Sequence, residues 1–126
     1  MSPCVNCIGS GVLGYFCTSC ITGYFLYNNT CAASCPITTF AYNSICYSVC
    51  PTTTFANTSS YVCTPCGTNC AECTSTTVCT QCITNTYLLA GLCYTNCPIL
   101  YYPNLTNGLC FMCDITCQTC NGSAYN

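Results

Sequence analysis

The stretch that decides the fold is CTQCITNTYLLAGLCYTNCP, Cys79 to Pro98, whose four cysteines stand at steps of three, eleven and four. The stretch CTSCITGYFLYNNTCAASCP, from Cys17 to Pro36, repeats those steps 62 residues upstream. Nine of the 20 aligned positions are identical, and only four of the nine are cysteines. A spacing kept together with non-cysteine identities marks an internal repeat, with the cysteines as its frame.

Working outward, Cys63, Cys66, Cys70 and Cys73 form C-x2-C-x3-C-x2-C, and Cys110, Cys113, Cys117 and Cys120 repeat it 47 residues later. A full unit reads C-x2-C-x3-C-x2-C-x5-C-x2-C-x10-C-x3-C-P. The connecting stretches CPITTFAYN at Cys35, CPTTTFAN at Cys50 and CPILYYPN at Cys97 share Cys-Pro, an aromatic and then Asn. Proline fixes φ after the cysteine, the middle residues suit short strands, and Asn suits the turn that brings the chain back. They predict two-stranded ribbons with 3 to 5 residues per strand. No helical periodicity survives, so helix content near zero is expected. The expected fold is small and disulfide-rich: an elongated rod of stacked two-stranded β ribbons with almost no helix and no large hydrophobic core. Phe16, Tyr24, Phe25, Phe40, Phe55, Tyr87, Tyr101, Tyr102 and Phe111 are the expected stacking residues. Two regions are expected, 1–62 with an incomplete first unit and 63–126 with the clusters at 63–73 and 110–120.

Composition supports this reading. Cysteine supplies 20 of 126 residues, and removing it from the 52% apolar content leaves about 36%, too little and too scattered for one large core. Crosslinks that restrict the unfolded chain, worth ~2 to 4 kcal/mol each, are the alternative source of stability. Such bonds persist in oxidising compartments, so an extracellular, secreted or cell-surface location is expected. With no Lys, Arg or His, and with Glu72 and Asp114 the only acids, the chain has no basic surface for nucleic acid or anionic lipid. A net charge of -2 also gives little protection against self-association, so copies of the chain itself are the expected partners. Covalent glycan at the sequons Asn28, Asn57, Asn104 and Asn121 is the expected source of solubility. No basic-then-apolar leader and no stretch of ~18 to 20 apolar residues is legible, so no direct membrane insertion is expected and removed signals or a longer parent chain are anticipated.

Catalysis is not expected. Two acids 42 residues apart, with no His or Lys to act as base, leave little to move protons. The C-x2-C pairs have zinc-ligand spacing, but each four-thiolate site would place a formal -2 on a chain with no cation, and no metal or other cofactor is expected. A dithiol of the thioredoxin type needs a positive charge or a helix start beside it.

All twenty cysteines are expected in disulfides. Pairing first to third and second to fourth within consecutive fours gives Cys4–Cys17, Cys7–Cys20, Cys31–Cys46, Cys35–Cys50, Cys63–Cys70, Cys66–Cys73, Cys79–Cys93, Cys82–Cys97, Cys110–Cys117 and Cys113–Cys120. Spacing alone leaves alternatives. If the longer repeat governs instead, Cys17 joins Cys31 and Cys20 joins Cys35, leaving Cys4 and Cys7 open, with Cys46 and Cys50 either joined to each other or also open. By order, Cys4, Cys7, Cys17 and Cys20 correspond to Cys70, Cys73, Cys79 and Cys82, so either Cys4 and Cys7 find partners within the chain by a shifted pairing, or they are completed by another stretch of a tandem array or by another subunit.

The run Cys63, Cys66, Cys70, Cys73, Cys79, Cys82, Cys93, Cys97, Pro98, Cys110, Cys113, Cys117 and Cys120 resembles the furin-like cysteine-rich repeats of growth-factor-receptor ectodomains and protist surface proteins. With abundant Thr and Asn and little charge, it is similar to the immobilisation-type surface antigens of ciliates. The resemblance implies secreted, disulfide-bonded rods in tandem, commonly lipid-anchored in a coat. Three functions are thus expected to compete: a structural protein of an extracellular coat or fibre, a lipid-anchored variable surface antigen, and the spacer of a ligand-binding receptor ectodomain.

Overall fold

The computed structural model describes residues 3–9, 16–117 and 119–120. The fold is small, disulfide-rich and all-β, with fourteen strands of three to six residues and no helix among the described residues. Strands β1 (Cys4–Ile8) and β2 (Phe16–Cys20) pair antiparallel. Three hairpins follow: β3 (Phe25–Tyr27) with β4 (Thr30–Ala32), β5 (Phe40–Tyr42) with β6 (Ile45–Tyr47), and β7 (Thr54–Asn57) with β8 (Val62–Pro65). Then β9 (Cys70–Ser75) pairs with β10 (Val78–Cys82), β11 (Tyr87–Leu89) with β12 (Leu92–Tyr94), and β13 (Tyr101–Asn104) with β14 (Leu109–Met112). The chain divides into two compact units, Met1–Pro51 with Ala56–Cys63, and Thr52–Phe55 with Thr64–Asn126.

Two turns make each hairpin. The first follows a cysteine: Tyr24 N donates to Ile21 O at 3.1 Å, Thr39 N to Pro36 O at 3.1 Å, Thr86 N to Ile83 O at 3.2 Å and Tyr101 N to Pro98 O at 3.0 Å. In each the third residue has positive φ, at Gly23, Thr38, Asn85 and Leu100, as a type II turn requires. The second turn joins the strands. Asn28-Asn29, Asn43-Ser44 and Ala90-Gly91 form two-residue loops with φ positive at both positions, the arrangement whose twist matches that of the flanking strands. Asn is among the residues best suited to this conformation, which is why the Asn after each aromatic stretch is informative. In the longer loops after β7 and β13, Asn57 and Asn104 act differently. The Asn57 Oδ1 accepts from Ser59 N at 3.0 Å, and the Asn104 Oδ1 from Thr106 N at 2.9 Å.

The ribbons are also joined sideways. Leu26 N donates to Ser44 O at 2.7 Å, Ala41 N to Tyr61 O at 2.9 Å, and Leu88 N to Gly108 O at 2.8 Å. Each bond accompanies a single parallel register pair, Leu26 with Ile45, Ala41 with Val62, and Leu88 with Leu109. Hairpins are thereby fused into sheets of order β4-β3-β6-β5-β8-β7 and β12-β11-β14-β13. The expectation of ribbons held to one another by rings and disulfides alone misses these bonds. They arise because the first strand of each hairpin leaves an outer edge whose N–H groups need acceptors.

The interior is sulfur rather than hydrocarbon. Among the described residues, the buried apolar positions are Cys17, Cys46, Cys63, Cys70, Cys79, Cys110 and Cys113, and only Cys63 falls below 2% exposure. The buried polar residues, Thr39 and Thr86, brace the first turn: Thr39 Oγ1 donates to Pro36 O at 2.6 Å and Thr86 Oγ1 to Ile83 O at 2.7 Å. Of the expected stacking residues, Tyr102 meets Phe111 at a ring separation of 6.1 Å and Phe40 meets Tyr61 at 6.3 Å, whereas Phe16 is exposed. Tyr42 with Tyr47, at 6.4 Å, completes the ring contacts recorded among the described residues and was not among those expected. The opposing pairs on one ribbon account for Tyr102 with Phe111, which face each other across β13 and β14.

Backbone strain at the first turn should be measurable. Thr38 is an exposed β-branched residue at φ 75, whereas Gly23 occupies the equivalent place at φ 90 with nothing within 4 Å of an added Cβ. A left-handed conformation costs an ordinary residue about 1–2 kcal/mol, and glycine gives back about 0.5–1 kcal/mol in unfolded-chain entropy. Thr38→Gly is therefore expected to raise the unfolding free energy of the oxidised chain measured in guanidinium, and Gly23→Thr to lower it, each by up to about 1 kcal/mol.

Candidate functional site

The chemistry-bearing groups here are sulfurs. Nine disulfides join Cys4–Cys17, Cys20–Cys31, Cys35–Cys46, Cys50–Cys63, Cys66–Cys73, Cys70–Cys79, Cys82–Cys93, Cys97–Cys110 and Cys113–Cys120. Cys7 and Cys117 are free and exposed. The pairing in consecutive fours thus meets the structure at Cys4–Cys17, Cys66–Cys73 and Cys113–Cys120 and is corrected elsewhere. Cys7–Cys20, Cys31–Cys46, Cys35–Cys50, Cys63–Cys70, Cys79–Cys93, Cys82–Cys97 and Cys110–Cys117 do not form. The alternative bonds Cys17–Cys31 and Cys20–Cys35 do not form either.

The reason lies in the hairpin. Five bonds link a cysteine just before the first strand of a hairpin to one on its second strand, at separations of 11 or 13 residues. The hairpin itself brings those two positions together, so each ribbon is closed by its own staple. Interleaving is confined to the C-x3-C-x2-C cluster, where Cys66–Cys73 straddles the first cysteine of Cys70–Cys79.

The two copies of the repeat match in detail. Cys4 faces Cys20 and Cys7 faces Cys17 across β1 and β2, as Cys70 faces Cys82 and Cys73 faces Cys79 across β9 and β10. Thr18 Oγ1 donates to Asn6 O at 3.1 Å, and Thr80 Oγ1 to Glu72 O at 3.0 Å. Cys17 N donates to Asn29 O and Cys79 N to Gly91 O, both at 2.8 Å. Cys7 therefore occupies the place of Cys73, whose partner is Cys66. By the same cluster spacing Cys117 occupies the place of Cys70, whose partner is Cys79. The correspondence of Cys7 with Cys73 in the order of the repeat is the sequence signal that sets Cys7 apart.

Sulfur atoms of Cys4, Cys17 and Cys31, of Cys66, Cys70 and Cys73, and of Cys70, Cys79 and Cys93 lie within 4.8 Å of one another in each group. All of these sulfurs are in disulfides, and a metal takes the thiolate, so these groups become ligand sets only on reduction. The acids are occupied separately. Glu72 is an exposed residue of β9 opposite Gln81. The Asp114 Oδ1 accepts from Thr116 N at 3.0 Å and Thr116 Oγ1 at 2.7 Å. These bonds from Thr116, backbone first, hold the Asp114 carboxyl below its ordinary value of 3.8. The same turn is closed by Cys117 N donating to Asp114 O at 2.9 Å, so Asp114 shapes the loop that presents the second free thiol.

Of the sequons, Asn28 is exposed at a hairpin tip, while Asn57 and Asn104 are half-buried with their Oδ1 atoms engaged. Asn121 lies outside the described residues. A groove of about 360 Å³ in the second unit is lined from Thr80 to Leu88 and by Leu105 and residues 107–109, with Tyr87 its one aromatic. Comparison with protein-family models and with curated proteins finds no match to this chain.

Two outcomes test this site. Native alkylation is expected to modify two cysteines, Cys7 and Cys117, with the chain about 18 Da lighter than its reduced form at about 2 Da per bond. Because the Asp114 value is lowered on folding, its contribution is present above 3.8 and is lost as pH falls through the lower folded value. The Thr116 amide resonance is expected to titrate below 3.8 and to lose that transition in Asp114→Asn.

Proposed function

We propose that the chain is a structural protein of an extracellular coat or fibre, stapled by disulfides, glycosylated at its sequons and self-associating. The observation that carries this reading is that the buried interior is cystine, with a staple closing one hairpin after another. A fold of this kind loses its interior on reduction, and it fits an oxidising environment. Self-association is supported by apolar side chains left in water on a surface with a net charge of -2. Ile37 and Ile99 stand at equivalent turn tips at 87% and 80% exposure, and Ile115 is 96% exposed. In this reading the ribbons continue as an elongated rod, as the furin-like and ciliate-antigen resemblance implies, and the open thiols at Cys7 and Cys117 supply covalent joints.

The lipid-anchored antigen and the receptor spacer share the staples but need no joints. Material from a eukaryotic secretory host, with glycans removed, separates the readings on non-reducing gels. The coat reading expects a covalent ladder or large assemblies that collapse to one chain on reduction, and loss of the ladder in the double variant Cys7→Ser, Cys117→Ser. A glycosylated single chain with both thiols open at millimolar concentration would overturn it in favour of a spacer or antigen.

A further inference from the structure

The open thiol at Cys7 does not stand alone. Its sulfur lies 3.3 Å from that of Cys4, and Cys4 is bonded to Cys17. The Cys17 sulfur lies in turn 3.3 Å from that of Cys31, and Cys31 is bonded to Cys20. Five sulfurs thus form one line of contacts, Cys7 to Cys4 to Cys17 to Cys31 to Cys20. Two links are covalent and two are at the separation of about 3–3.5 Å typical of reacting atoms held for attack. In a regular strand, residues three apart point to opposite faces. The register shifts between Cys4 and Asn6 and between Asn6 and Cys7 break that alternation and let the two sulfurs meet.

We infer that this line is a thiol–disulfide exchange site, which moves the open thiol from Cys7 to Cys20. Cys7 gives its proton to water, and its thiolate forms a bond to the Cys4 sulfur. The Cys4–Cys17 bond breaks, and its electron pair leaves on Cys17. The Cys17 thiolate then bonds to the Cys31 sulfur, the Cys20–Cys31 bond breaks, and Cys20 takes a proton from water. Two disulfides are present before and after, Cys4–Cys17 with Cys20–Cys31 becoming Cys4–Cys7 with Cys17–Cys31, so no oxidant or reductant is needed.

The second unit contains its own control. Cys70–Cys79 and Cys82–Cys93 repeat the covalent links, and the Cys93 and Cys79 sulfurs approach to 3.2 Å. There the position of Cys7 is held by Cys73, which is bonded to Cys66. The sulfur line is the same, but no thiol stands at its head, and exchange has nothing to start it. The inference concerns the chain whose Cys7 thiol is open, and it does not depend on where the protein resides.

The experiment uses the whole oxidised chain, held without oxygen across a pH series, quenched in acid, alkylated with N-ethylmaleimide and digested with pepsin under acid. Cleavage between Cys7 and Cys17 and between Cys20 and Cys31 reports the pairing. The starting form gives three peptides in one disulfide-linked species. The exchanged form releases the Cys4–Cys7 peptide by itself and carries the alkyl group on Cys20. The expected result is Cys20 labelling that appears with time and faster at higher pH, because the thiolate is the attacking species. It should be abolished in Cys7→Ser and Cys7→Ala and retained in Cys117→Ser, with Cys70–Cys79 unchanged throughout. Cys20 unlabelled at every pH and time, or labelled equally in the Cys7 variants, overturns the inference.

Discussion

The constraint on which everything else depends is that a disulfide closes each hairpin locally. A three-residue strand pair has no independent stability in water. Here it gains a crosslink across a loop of 11 or 13 residues, placed where the type II turn and the second strand already bring the cysteines together. For loops of this size the restriction of the unfolded chain is worth about 3 kcal/mol per bond, comparable to burying one or two large apolar side chains. The hairpin can therefore dispense with a hydrocarbon core, and its surface positions can be Thr, Asn or exposed Ile without penalty to the frame. The sideways hydrogen bonds then fuse staples into sheets at the cost of one parallel pair per junction.

Much of this was legible in the sequence. Cys-Pro followed by an aromatic and Asn predicts a short ribbon, and the ribbons are there, because proline, aromatic and Asn each act locally. The connectivity was less legible. Pairing in consecutive fours treats cysteine spacing as if it were contact, whereas the contact is made by the turns. Cys20 reaches Cys31 because Gly23 and the Asn28-Asn29 loop fold the chain back between them. Once hairpin closure is taken as the unit, consecutive pairing follows. The two residues left over, Cys7 and Cys117, are those whose repeat counterparts, Cys73 and Cys70, belong to the interleaved bonds Cys66–Cys73 and Cys70–Cys79. The parallel junctions had no signal at all, since a backbone bond from Leu26 to Ser44 makes no demand on either side chain.

The candidate site shows the same division. Residue type identified the cysteines as the reactive groups. Spacing did not reveal that β1 is bulged so that Cys4 and Cys7 share a face, nor that Cys17 and Cys31 are held in contact without being bonded. These depend on register, which a strand of five residues without an apolar face does not declare.

Consecutive closure also fixes how the chain carries tension. From Cys20 to Cys63 the backbone includes 43 peptide steps, an extended length of about 150 Å. The staples at Cys20–Cys31, Cys35–Cys46 and Cys50–Cys63 bypass all but the two four-step links between them, with Cα separations of 5.5 to 5.7 Å across the bonds. The covalent path is then about 45 Å at full stretch. A pull on this segment bears on sulfur and on two short links, while the hairpin loops lie outside the load path. The greatest length of the segment is capped at that value even when the ribbons are disrupted.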